Sequence, residues 1–259
     1  MPTVQTAISQ LFPDKILVRG YNLAEMAGRY SLGDTLYLLL TGELPPGREG
    51  DLLEAMMVLS VEHSINAPST HTARAVANCG VPLQTAVAAG ISAIGEHHGG
   101  AGEACARLLQ EHLQAQPDQL PAAIAAPIVA EYRQAGRRLP GFGHRVHDPD
   151  PRAARLLELA EEWDVAGPHV ALALAIEAAL RQDTGRSLPL NVDGAQAALL
   201  SDMGLDWRVA KAVFILGRAA GLMTHAVEEM QTGKPFQFIA PVQTEYVGPP
   251  ERPLPGGDH

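Results

Sequence analysis

The sequence predicts an almost entirely α-helical protein, and three observations carry that expectation. Alanine and leucine dominate, while aromatic residues make up only 5% of the chain. Runs such as Asp51-Leu-Leu-Glu-Ala-Met-Met-Val-Leu-Ser60 place apolar residues at helical rather than alternating spacing. Asn, Asp, Ser or Pro opens most of these runs and Gly stands near their ends, as in capped helices. A chain of 259 residues can fill one large core or two unequal domains.

In chain order, this punctuation predicts helices over about 22–28, 33–42, 48–63, 69–79, 82–95 and 101–115. Five more follow at about 119–135, 150–163, 168–183, 192–203 and 207–230. Two stretches, Val81–Ile94 and Val170–Leu180, are apolar on nearly every face, so they belong in the core or in a subunit interface. Oligomerisation is the more economical of the two. Strand candidates are Lys15–Arg19 and the tail after Pro235, where repeated Pro and Gly prevent a long helix.

The formal net charge of −10 speaks against nucleic-acid binding and requires that any anionic ligand be met by local cations. Cys79 and Cys105 lie in Ala-rich contexts without metal-ligand spacing, which points to inert packing and a reducing compartment. No stretch reaches the roughly 18 uninterrupted apolar residues of a membrane span, and the N-terminus lacks a basic region followed by an apolar one. A cytoplasmic location is the expectation, with no membrane partner.

Three polar clusters interrupt the apolar helices. In Gly95-Glu-His-His-Gly-Gly-Ala-Gly-Glu103 the glycines let backbone approach a ligand, and the following helix offers N-terminal amides to an oxyanion. A Gly-rich turn with solvated histidines would have the same composition. In Pro140-Gly-Phe-Gly-His-Arg-Val-His-Asp-Pro-Asp-Pro-Arg152, His144, Arg145 and Arg152 sit in a loop too rich in Gly and Pro to be regular. The alternative there is a capped turn before a helix. In Leu190-Asn-Val-Asp-Gly194, Asp193 is either a reactive carboxylate or the N-cap of the next helix. Together the clusters supply two imidazoles and a carboxylate, the set that moves a proton at a thioester α-carbon and steadies the enolate.

The run Gly141-Phe-Gly-His-Arg-Val with Asp150-Pro-Arg-Ala153, preceded by His98-Gly-Gly-Ala101 and followed by Asn191-Val-Asp193 and Gly217-Arg-Ala219, resembles the citrate synthase family in order and spacing. Asp34-Thr-Leu-Tyr-Leu-Leu-Leu-Thr-Gly-Glu-Leu-Pro45 extends the resemblance over nearly the whole chain. The short length is most similar to citryl-CoA lyase and the lyase portion of ATP-citrate lyase. The resemblance implies an all-α fold with a large domain (1–100 with 190–259) and a small one (101–190) across a cleft. It implies that His98 polarises the thioester carbonyl, Asp193 is the acid/base at the acetyl carbon, and His144 handles the hydroxyl proton of the citryl group. His63 and the cations Arg145, Arg152 and Arg218 would hold the keto-dicarboxylate, since an arginine fork meets a carboxylate bidentately. Lys234 stands where the family supplies an arginine to the neighbouring subunit, implying a homodimer or higher homo-oligomer.

Arg133, Arg137 and Arg138 stand close enough before His144 in sequence to meet the phosphates of coenzyme A, although a solvated helix face would look identical. The expected reaction is reversible cleavage of citryl-CoA to acetyl-CoA and oxaloacetate, with no metal and no permanent cofactor. His98 is kept where the lyase portion of ATP-citrate lyase has an aromatic residue, which leaves citrate synthase as an alternative. Lys234, which lacks the fork, leaves a lyase for a related substrate such as citramalyl-CoA. A catalytically silent partner subunit is the alternative of another class.

Overall fold

The computed structural model describes residues 4–144, 149–235, 245 and 247–252. A small antiparallel sheet of β1 (Ser9–Leu11), β2 (Ile16–Val18) and β3 (Tyr21–Asn22) precedes the helices, with Ser9 opposite Val18 and Leu17 opposite Asn22. The helices are α1 (Leu23–Met26), α2 (Leu32–Thr41), α3 (Glu49–Ser60), α4 (Pro68–Asn78), α5 (Leu83–Ser92) and α6 (Ala101–Ala115). They continue with α7 (Pro121–Gln134), α8 (Pro151–Glu162), α9 (Pro168–Thr184), α10 (Val192–Asp202) and α11 (Val209–Thr232). Each predicted helical segment overlaps one of these helices, with ends that differ by up to three residues, and the expected strand at 15–19 is β2. β1 and β3 were not anticipated, and most of the tail after Pro235 lies outside the described residues.

Local chemistry explains the boundaries. Ser31 and Asp34 form a reciprocal capping box at the start of α2. Proline occupies the first turn of α4, α7, α8 and α9, where its missing N–H costs no helical hydrogen bond. Asn22, Asp150 and Asn191 accept backbone N–H bonds at the starts of α1, α8 and α10.

The main core joins Leu52, Leu53 and Met56 of α3 to Leu109, Ile124, Ile128, Leu156, Leu172, Ile176, Leu199 and Leu200 of α6–α10, each essentially without exposed surface. Around it α7 lies on α9, and α10 is surrounded by α6, α8 and α9. A smaller cluster, Ala77, Ala86 and Ala226, ties α4, α5 and α11, and α11 reaches back to α3 and α6. Neither all-apolar stretch is buried all round in the single chain. α9 turns Val170, Leu172, Ala173, Ile176 and Leu180 inward but leaves Leu174 45% exposed, and α5 buries only Ala86 and Gly90. No helix among the described residues is long and apolar enough to cross a membrane.

Candidate active site

α10 supplies the first candidate residue. From Val192 to Ser201 every position is fully buried except Asp193, which is half-buried. The cap is Asn191, whose side chain accepts from the Gly194 N–H at 3.1 Å. Asp193 is therefore not the N-cap, a role that falls to Asn191 two residues earlier. Burial pushes that carboxyl above the ordinary range, with Asp150 acting in the same sense and Arg152, Arg218 and His63 opposing. A raised carboxyl gives and takes protons nearer neutrality than a solvated one does.

The His144 loop is fastened to this helix. Phe142 pairs with Leu190, the Gly143 N–H donates to the Pro189 carbonyl at 2.8 Å, and Asn191 donates its N–H to Gly141 and its side-chain amide to Gly143. Gly141 has φ +86°, and a Cβ there would stand 2.8 Å from both Cys105 Sγ and Gly194 Cα, so only glycine fits between the loop and α10. Cys105 beneath it is inert, its thiol pushed up to about 12 by burial and by Asp193. At the end of this loop His144 meets His63, with ring centroids 5.4 Å apart at 70°.

His98 precedes α6. Its Nε2 receives Ser69 from the start of α4, the hydroxyl at 2.8 Å and the backbone N–H at 3.4 Å. A backbone N–H can only donate, so Nε2 is the bare nitrogen and Nδ1 carries the proton. Burial lowers the imidazole pKa, helped by Arg218 and His63, so the ring stays neutral near pH 7 and offers Nδ1–H as a hydrogen-bond donor. Ser69→Ala is expected to remove one neutral hydrogen bond, worth about 0.5–1.5 kcal/mol, and to let the His98 ring take up a proton more readily; titration of the ring by NMR checks this.

Arg218, 2% exposed, lies where α11 crosses the end of α3. The crossing is close because of Gly217, where a Cβ would be 2.5 Å from the Met57 carbonyl. Arg218 Nε donates to the Ser60 carbonyl at 2.9 Å, and its guanidinium lies 5.0 Å from the centre of the Phe214 ring, against whose edge His98 also stands. Nη1 is buried without a partner among the described residues, a costly state that an anionic ligand would relieve. Arg152 is held by Asp150, which binds its Nε and Nη2 at 3.1 and 3.0 Å.

The structure thus brings His63, His98, His144, Arg152, Asp193 and Arg218 into mutual range from five parts of the chain. Arg145 lies outside the described residues. Arg133, Arg137 and Arg138 are exposed, the first paired with Asp183 and the second with Glu131. Lys234 is exposed just beyond α11, its carbonyl accepting from Asn78 at 2.7 Å. Sequence reasoning missed Ser69, Phe214 and the grip of Asp150. Only the last left a local sign, since Asp-Pro-Arg is an N-cap followed by a cation within reach.

Residues 46–241 match the family described as citrate synthase, C-terminal domain. The chain is 31% identical over 214 residues to a putative citrate synthase 2 of Mycobacterium tuberculosis, covering 80% of this chain and 54% of that protein. It therefore spans about half the length of such relatives. In structure it is similar to citryl-CoA lyase from Hydrogenobacter thermophilus, with TM-score 0.90, 39% identity and 98% of both chains covered. It also shares its fold with ATP citrate lyase from Methanothrix soehngenii in complex with citrate and coenzyme A, with TM-score 0.84 and 23% identity, over 97% of this chain and 42% of that one.

Proposed function

The chain belongs to the citrate synthase family, and from that premise we propose that it reversibly cleaves citryl-CoA to acetyl-CoA and oxaloacetate. The observation that supports the lyase reading is the likeness to a citryl-CoA lyase, at TM-score 0.90 and 39% identity. The site chemistry agrees. In the cleavage direction His144 takes the proton of the citryl hydroxyl as the central carbon–carbon bond breaks. The released electron pair moves onto the thioester carbonyl, whose oxygen receives a hydrogen bond from His98 Nδ1–H, and Asp193 delivers its proton to the former methylene to give the acetyl methyl group. In synthesis the three transfers reverse. Arg152, Arg218 and His63 hold the dicarboxylate, with Arg145 as a further clamp.

Closure of 101–190 over the rest of the chain would exclude water from the enolate. Arg138, which has no acid partner among the described residues, is the strongest of the three arginines for a coenzyme A phosphate. No permanent cofactor enters this scheme. The two free cysteines suit a reducing cytoplasm.

Retention of His98 favours synthase as the second reading, and one experiment separates the two. The protein is incubated with citryl-CoA, with citramalyl-CoA, and with acetyl-CoA plus oxaloacetate, while keto acid and free thiol are followed. Keto acid from citryl-CoA without free thiol is the expected result. Free thiol from acetyl-CoA plus oxaloacetate makes it a synthase, and inertness with all three makes it a silent partner.

A homodimer or larger assembly is part of the proposal. Leu216, Met223 and Met230 recur every seventh residue along α11 and are 41–46% exposed, forming an uncovered apolar stripe. Lys234, just beyond that helix, would serve the neighbour's site. Sedimentation at micromolar concentration is expected to show at least a dimer; a stable, active monomer would remove both the interface and the shared cation.

A further inference from the structure

We propose that Asp150 is a positioning residue that joins the two halves of the site, setting the direction of Arg152 and the seat of Asp193 through one buried carboxylate. The inference rests on the reading of Arg152 and Asp193 given above. Asp150 is 1% exposed, and its side chain receives four hydrogen bonds. Oδ1 accepts from the backbone N–H of Arg152 at 3.0 Å and from its Nε at 3.1 Å. Oδ2 accepts from Arg152 Nη2 at 3.0 Å and from the backbone N–H of Val192 at 3.1 Å. An N-cap needs only the first of these. The paired contacts to the guanidinium fix its plane and leave the Nη1 edge for a carboxylate ligand. The contact to Val192 crosses to another helix and holds the first turn of α10 at the residue before Asp193. One acid therefore ties the cation of the dicarboxylate half to the acid/base of the thioester half.

The same carboxylate belongs to the electrostatic surroundings of Asp193. Facing Asp193 are Arg152 of α8 and the α8 cap Asp150, Arg218 of α11, His63 after α3, and Cys105 of α6. Removing the Asp150 charge takes away a repulsion and leaves Arg152 unbalanced, and both changes favour ionised Asp193. Proton abstraction from acetyl-CoA requires that ionised form, so its rising limb against pH moves to lower pH in an uncharged variant. A merely structural role would leave the limb in place.

Two variants of the full chain test this, Asp150→Asn and Asp150→Ser. Serine still caps α8 but cannot grip a guanidinium. Oxaloacetate binding is measured by calorimetry and α-proton exchange of acetyl-CoA is followed against pH. Both variants are expected to weaken oxaloacetate binding by about ten- to a hundredfold, and Asp150→Asn to shift the exchange limb to lower pH. Wild-type binding and exchange in Asp150→Ser reduce Asp150 to a helix cap and overturn the proposal. So does loss of the helical circular dichroism signal in both variants, which makes the acid a folding element. Wild-type protein run alongside distinguishes the deeper failure: if it neither binds oxaloacetate nor exchanges protons, the functional reading falls and this inference falls with it.

Discussion

Asp193→Asn is expected to reduce solvent exchange of the acetyl-CoA α-protons by about a hundred- to ten-thousandfold, the usual loss when a positioned general base is removed. Asparagine keeps the size and most of the hydrogen bonding but cannot accept the proton. Because Asn191 caps α10, the substitution leaves the helix start intact, and oxaloacetate affinity should remain close to wild type. The pH dependence follows from the direction of the shift. Burial raises the Asp193 carboxyl, so wild-type exchange should climb with pH until that raised value is passed, and reach its plateau at higher pH than an ordinary carboxylate would give. Deuterium exchange followed by NMR measures both effects. Wild-type exchange in the variant, or dicarboxylate binding lost as badly as in Arg218→Ala, would remove Asp193 from the chemistry.

Arg218→Ala should act on the other half of the reaction, weakening oxaloacetate binding by about 1.5–3 kcal/mol, roughly ten- to a hundredfold. The buried Nη1 without a partner is the donor a carboxylate would use. Alanine also empties the space against Phe214, so Arg218→Lys is the informative companion: it fills much of that space and keeps the charge but loses the fork. Calorimetry should rank affinity as wild type, then lysine, then alanine. Equal affinity in wild type and Arg218→Ala would make Arg218 a brace for the end of α3 through Ser60, and the dicarboxylate would have to be held elsewhere.

The helices were legible because their signals are local. Periodic apolar residues, Pro68, Pro121, Pro151 and Pro168 in first turns, and Asn191 before α10 each act within a few residues of themselves. β1 and β3 were not, since two or three largely exposed residues carry no alternation to read. Within the site the residue types were legible, but their partners were not. Nothing near His98 in sequence announces Ser69, which reaches it only because the start of α4 faces the turn before α6. Nothing near Asp150 announces Val192. The exposed arginines are a case where only the type was readable: charge and proximity in sequence point to a phosphate site, and the pairing of Arg133 with Asp183 and of Arg137 with Glu131 left no sign there.

The pairing of Phe142 with Leu190 has a consequence for how the protein folds. The helices depend on contacts within a few residues and can form early. That pairing instead closes a loop containing all of α8 and α9, which must be folded and docked before the His144 loop can meet the start of α10. On refolding, helical content should therefore return first and the ability to turn over substrate last, because the machinery is assembled from contacts far apart in the chain.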